Sequence, residues 1–237
     1  MKLKAFAQTD IGMKRKTNQD SFASDDAIGV FVVADGMGGH RGGEVASKLA
    51  VDVIRKYCSE NKEMAGRELL DKAVNVSCRE IYMASKGNEE LAGMGTTVVA
   101  LLVQGDDVYV GHVGDSRGYL IAEDGIWQIT EDHSLLNEEL RSGRLQEGQA
   151  ATYQFRNVIT RSVGYENHVQ VDIYRRARRP GDRYFLCTDG LSGLVSIDEI
   201  GNELRRGGSE QGLKNLIRLA NNRGGDDNIT ALVCELE

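Results

Sequence analysis

The sequence predicts an α+β fold. Apolar runs rich in β-branched residues cluster along the middle of the chain, joined by connections of only a few residues. Amphipathic helices come in pairs, before and within the strand series, and do not alternate one for one with strands. Short connections favour antiparallel hairpins, whereas a parallel βαβ succession needs a crossover helix between strands. With 237 residues and no repeat, low-complexity tract or Ser/Pro-rich linker, the chain reads as one domain, residues 1–237, able to bury a full core.

Ile28 to Ala34 is apolar and β-branched, which reads as a buried strand. From Glu44 to Tyr57, the residues Val45, Leu49, Val53, Ile54 and Tyr57 recur at helical spacing. A second helix spans about Arg67 to Ser85, with Leu70, Val74, Ser77 and Ile81 on one stripe. Thr96 to Val103, Val108 to Val113 and Gly118 to Ala122 follow as strands, joined through Gly105-Asp106-Asp107 and Asp115-Ser116-Arg117. Arg183 to Thr188 and Ile229 to Leu236 are two further strands, with helices near Ile197 to Arg206 and Gln211 to Asn222 between them. His133 to about Thr160 is polar and weakly periodic, and no element is assigned to it. Segments of this kind are often lids or binding loops.

Composition narrows the function. The chain carries 29 Lys+Arg against 36 Asp+Glu, a net charge of −7, where a nucleic-acid binder would present a broad basic face. The best uninterrupted apolar run, Val98 to Val103, is far below the ~20 residues of a membrane span. Lys2, Lys4 and Asp10 interrupt the apolar stretch that a secretory signal needs. Cys58, Cys78, Cys187 and Cys234 are scattered without a C-x-x-C pair, so free thiols in a cytoplasmic protein are expected. The 28 glycines suggest tight turns where backbone approaches closely.

One pattern points to chemistry. Apolar strands end in aspartate beside a small residue at Asp35-Gly36, at Asp115-Ser116 and at Asp189-Gly190, and Gly225-Asp226-Asp227-Asn228 leads into the last strand. Each alone is an ordinary turn. Together, strand ends on one sheet edge can bring carboxylates close, and these repel unless a cation sits among them. Oxygen ligands without a Cys or His cluster suit Mg2+ or Mn2+ better than zinc. Calcium fits the ligand type too, but the EF-hand pattern is absent. Hard cations held by aspartates suit phosphate-ester hydrolysis. The glycine-rich stretch Asp35 to Glu44 matches neither the dinucleotide pattern, whose third glycine would fall on Arg41, nor a P-loop, which needs Lys-Ser/Thr.

The motifs Gly12-x-x-Arg15-x-x-Asn18-Gln19-Asp20, Asp35-Gly36-Met37-Gly38-Gly39-His40, Gly95-Thr96-Thr97 and Gly114-Asp115-Ser116-Arg117 occur in that order. Ile159-Thr160-Arg161-Ser162-Val163-Gly164, Thr188-Asp189-Gly190-Leu191 and Gly225-Asp226-Asp227-Asn228 follow them. In this order, over nearly the whole chain, they resemble the metal-dependent serine/threonine protein phosphatases of type 2C in their bacterial form. The resemblance implies a four-layer α-β-β-α sandwich of two antiparallel sheets flanked by helix pairs. It also implies hydrolysis of phosphoserine and phosphothreonine on proteins by direct attack of activated water, with two Mn2+ or Mg2+ ions and a third beside them.

By position, Asp35 would bridge two ions with the Gly36 carbonyl on the first, and Asp189 and Asp227 would complete the second site. Asp115 with Asp189 resembles the pair that holds a third ion, and Asp20 the carboxylate that holds metal-bound water. Arg15 resembles the arginine that grips the substrate phosphate, although Lys14-Arg15-Lys16 also reads as a solvated basic patch. Asp227 is preferred over Asp226 by the family register. Some members carry a histidine as general acid where this chain has Met37. His40 is a nearby candidate, with solvent as the alternative proton donor. Arg175, Arg176, Arg178 and Arg179 read as an exposed strand or loop face, or as a dock for an acidic phosphoprotein. The segment 133–160 would be a flap beside the site. The expected partners are phosphorylated proteins and, functionally, an opposing kinase, and the chain is expected to act as a monomer. A pseudophosphatase would lack some of the aspartates, and hydrolysis of small phosphate compounds would use the same centre.

Overall fold

Two antiparallel sheets stack face to face between two groups of helices in the computed structural model, which describes residues 2–38 and 41–237, Ala151 by its backbone alone. β1 (Leu3–Asp10) and β2 (Asp20–Asp25) precede the first strand read from the sequence, β3 (Val30–Met37). The first helix pair is α1 (Gly42–Glu60) and α2 (Gly66–Gly87). The two-residue β4 (Gly95–Thr96) leads to β5 (Val98–Gln104), β6 (Asp107–Val113), β7 (Arg117–Ala122) and β8 (Gly125–Gln128). A short α3 (Leu135–Arg141) and a 3-10 turn over Glu147–Thr152 come next, followed by β9 (Asp172–Ala177) and β10 (Arg183–Cys187). A single turn α4 (Asp189–Ser192), then α5 (Ile197–Arg206) and α6 (Ser209–Asn222), lead to β11 (Ile229–Leu236).

One sheet has the order β1-β11-β10-β7-β8 and the other β2-β3-β5-β6-β9, with β4 paired to β3. Side-chain alternation builds three apolar layers. Phe31, Val33, Val99, Leu101, Leu186 and Leu232 meet between the sheets. Their strand neighbours Val30, Val32, Val98 and Ala100 pack with Ile54, Leu70 and Val74 of α1 and α2. Phe185, Ala231 and Val233 pack with Leu204, Leu213 and Leu216 of α5 and α6. Both faces of the central strands are therefore covered, which is why those strands carry unbroken apolar runs.

The strand expected over Thr96 to Val103 divides at Thr97: β4 turns away to pair with β3, and an isolated bridge joins Thr96 to Val163. The arginine run is largely engaged locally. Arg175 lies 2.8 Å from Asp107, Arg178 lies 3.4 Å from Asp106, and Arg176 lies 3.5 Å from Asp182, as an exposed strand face implies. All four cysteines are free and buried. Among the described residues, no helix is long and apolar enough to cross a membrane.

Segment 133–160 is an excursion closed at its base. Ser134 pairs with Ile159, Leu135 N–H donates to the Val158 carbonyl (2.8 Å), and Thr160 N–H donates to the His133 carbonyl (2.9 Å).

Candidate metal centre

The β3 terminus, the β6–β7 turn, the start of α4 and the turn before β11 reach one end of the sandwich. Arg15, Asp35, Gly36, Asp115, Asp189 and Asp227 line a single cavity there of about 320 Å3. Asp20 stands behind it, buried, as the register partner of Asp35 across β2 and β3.

Backbone chemistry fixes each carboxylate. Asp35 N–H donates to Thr97 Oγ1 (2.9 Å), and its carbonyl accepts from Thr97 N–H (2.8 Å) and Thr96 Oγ1 (2.8 Å). At Gly36 an added Cβ would lie 1.9 Å from the Gly43 carbonyl oxygen, so only glycine lets the head of α1 close on this turn. A Cβ at Gly190 would lie 2.0 Å from the Asn228 carbonyl oxygen, which seats Asp189 against the turn before β11. Asn228 organises the other wall. Its Nδ2 donates to the Ile11 (2.9 Å) and Thr17 (3.0 Å) carbonyls, and its Oδ1 accepts from Gln19 N–H (2.8 Å). The loop carrying Arg15 is thereby tied to Asp227, and Arg15 Nη2 donates to Asp227 Oδ2 at 2.6 Å. Asp226, in contrast, is exposed and pairs with Lys14 at 2.5 Å outside the cavity.

Crowded acids far from water are harder to ionise. Burial pushes Asp20 up to about 7, against hydrogen bonds from Thr230 and Thr188. Burial and then the charge of Asp189 push Asp115 up to about 7. Asp35 is driven well above the ordinary range by burial and by Asp20, Asp189, Asp115 and Asp227. Asp189 is raised by burial and by Asp227 while sharing a hydrogen bond with Asp35. One oxygen each of Asp20, Asp115 and Asp189 is buried with no hydrogen-bond partner. Among the described residues no three acidic, His or Cys side chains are drawn around one point as a finished cage, and the Arg15 guanidinium rests on Asp227. Orphaned carboxylate oxygens, without thiolate or imidazole among the described residues of the cavity wall, fit hard divalent cations.

The structure thus brings together Arg15, Asp20, Asp35, Gly36, Asp115, Asp189 and Asp227. His40 lies outside the described residues. Met37, Asn157 and Ile159 also line the cavity, so the base of segment 133–160 borders it.

Sequence reasoning missed His133. Gly114, with φ +107°, donates its N–H to His133 Nδ1 (3.0 Å) and accepts from His133 N–H (2.8 Å). Both contacts hold the residue before Asp115. An Nδ1 that accepts puts the neutral ring's proton on Nε2, which lies 3.0 Å from both Asp172 Oδ2 and Arg161 Nη1. Burial lowers the His133 pKa, in keeping with a neutral ring. Arg161 completes the group, 2.9 Å from Asp172 Oδ1. Of this network only Arg161, within Ile159-Thr160-Arg161-Ser162-Val163-Gly164, fell in a motif noticed in the sequence.

Comparison with known proteins follows the same lines. The family model "Protein phosphatase 2C" matches residues 13–234. The serine/threonine phosphatase stp of Listeria innocua is 38% identical over 239 residues, covering 96% of this chain and 94% of that protein. The crystal structure of the Mycobacterium tuberculosis serine/threonine phosphatase PstP/Ppp superposes with a TM-score of 0.94 at 34% identity, over 100% of both chains. The PstP catalytic domain in complex with two manganese ions superposes at 0.89 and 34% identity, covering 99% of this chain and 98% of that one. With the family pattern spanning nearly its whole length, and bacterial serine/threonine phosphatases alike in sequence and fold, the chain belongs to the protein phosphatase 2C family.

Proposed function

We propose that this protein hydrolyses phosphoserine and phosphothreonine esters of proteins with the help of Mn2+ or Mg2+. The observation that carries the reading is the shared acidic cavity, where buried carboxylate oxygens lack partners and the acids repel one another. Asp35, the Gly36 carbonyl, Asp189 and Asp227 would hold two ions, and Asp115 with Asp189 a third. Bound divalent ions lower the pKa of water and neutralise charge on phosphoryl oxygens.

The chain's own groups do the rest. Asp20, buried behind Asp35 with one oxygen unpartnered, would orient a water toward the centre. Arg15 is half-exposed at the cavity rim. Its planar fork suits two phosphoryl oxygens once cations take over the charge of Asp227. A water oxygen bonds to phosphorus as the ester oxygen departs, giving inorganic phosphate and a free hydroxyl without a phosphoenzyme. The departing alkoxide takes its proton from solvent or from His40. Asn157 and Ile159 place segment 133–160 where, as a flap, it would influence which phosphoproteins enter. Buried free thiols suit the cytoplasm, where a protein kinase would supply the substrates.

The direct test is hydrolysis of phosphoserine and phosphothreonine peptides, with chelator and then with Mn2+ or Mg2+ restored. Activity should vanish and return. Activity indifferent to chelator, or faster turnover of phosphotyrosine peptides or nucleotides, would overturn the reading.

Asp115→Ala should lower turnover while calorimetry still counts two tightly bound Mn2+ ions, and unchanged kinetics would remove the third site. His133→Ala removes the acceptor of the Gly114 N–H while keeping the backbone bond to the Gly114 carbonyl, and should cost roughly tenfold to a hundredfold in activity or metal affinity, as for other groups that orient ligands. The Mn2+ concentration for half-maximal activity should rise. His133→Asn, whose Oδ1 can accept in place of Nδ1, should recover part of the loss. Equal behaviour of the two variants would argue against the Gly114 contact as the cause.

A further inference from the structure

A second cavity, of about 590 Å3, opens between the sheets at their end strands β8 and β9 and shares no lining residue with the acidic one. Its volume is that of a small-molecule site. Val108, Val110, Leu120 and Ile129 form apolar walls, and Trp127 stands at the mouth, 44% exposed.

Two donors on this lining, the Tyr184 hydroxyl and the Arg179 guanidinium, have no protein acceptor among the described residues. Tyr184 is 1% exposed, and its hydroxyl has no hydrogen-bond partner. Arg176 Nε is also buried without a hydrogen bond; it is held in an ion pair by Asp182, whose Oδ2 lies 3.5 Å away and is itself buried without a hydrogen-bond partner. Arg179 is exposed and forms no ion pair among the described residues, whereas Arg175 is engaged by Asp107. Asp124 is the single acid on the lining. A hydroxyl left unpaired beside apolar walls is costly, and an anionic acceptor would satisfy it and the Arg176 Nε–H, with unpaired Arg179 offsetting the charge that Asp182 places beside them.

We propose that this cleft binds an amphipathic carboxylate. A slender aliphatic body lies against Val108, Val110, Leu120 and Ile129, and the carboxylate accepts from the Tyr184 hydroxyl and Arg176, with Arg179 at the mouth. The site is independent of the phosphatase centre.

Trp127 is the only tryptophan of the chain, so its emission reports on this mouth alone. Decanoate, titrated below its micellar concentration, should change that emission saturably with a Kd of about 1 mM or tighter. Decylammonium and decanol should give no saturable change. Arg179→Ala, at an exposed position, and Tyr184→Phe should each weaken decanoate binding about tenfold, the scale of a lost hydrogen bond to a charged group. A response linear in decanoate, an equal response to decylammonium or decanol, or unchanged affinity in both variants would overturn the proposal.

Discussion

Replacing Asp35 by Asn is expected to cut manganese-dependent phosphopeptide hydrolysis by about a hundredfold to a thousandfold, the scale for losing a preorganised charge-stabilising group. The same change should raise the melting temperature of the chelated protein. Asp35 stands where four other aspartates press on it, and burial adds to their effect. Asn has the shape of the protonated acid and can keep the hydrogen bond to Asp189, while one source of repulsion disappears. Its backbone partners, Thr96 and Thr97, are untouched. Opposite signs for activity and metal-free stability mark a residue retained for its charge and not for the fold. Activity measured with excess Mn2+ and melting of the chelated protein test both halves. Near-normal turnover would remove Asp35 from the centre, and a lower melting temperature would mean that its carboxylate supports the fold.

The fold was legible where packing leaves no polar face. β3 and β5 are covered on both sides, by α1 and α2 and by the opposite sheet, so their sequences run apolar without interruption. β1, β2, β8 and β9 escaped the reading for the converse reason. Each is an end strand of its sheet or beside solvent, and Asp172–Ala177, with Arg175 and Ala177 exposed, reads as a basic run. The acidic residues were legible because an aspartate stopping an apolar strand is a local signal. Asp35, Asp115 and Asp189 needed only their neighbours in sequence to be noticed. The His133–Asp172 contact spans 39 residues, and its members sit in polar stretches with no period, so only the folded chain brings them together. Asn228 is intermediate: its motif was noticed, but its grip on the Ile11 and Thr17 carbonyls, which sets the Arg15 loop, lies in backbone geometry.

Chelated protein should melt at a lower temperature at pH 8.5 than at pH 6.5, and added Mn2+ should raise the melting temperature more at the higher pH. Asp20 and Asp115 move from an ordinary value of 3.8 to about 7 on folding, and Asp35 and Asp189 move in the same direction. A carboxyl raised in this way binds more protons in the folded state than in the unfolded one. Its contribution to stability is complete below the unfolded value and is lost as the pH climbs through the folded value. Histidines act the other way. Burial takes His112 down to about 3 and lowers His133, so folding gains as the pH rises toward their ordinary 6.5. At 6.5 an unfolded histidine is half neutral and about one pH unit higher almost wholly so, so its remaining gain in this window is small and the four aspartates outweigh it. Surface acids held low by arginine, such as Glu199 at about 2 beside Arg223, are ionised throughout this window and contribute no slope. Divalent ions compete with the protons on these carboxyls, so at pH 6.5 binding must release protons that at pH 8.5 have already left. Calorimetry in buffers of different ionisation enthalpy should therefore show proton release on Mn2+ binding that shrinks as the pH rises. A melting temperature that climbs between pH 6.5 and 8.5 without metal, or a Mn2+ shift independent of pH, would mean that the aspartates do not share one field.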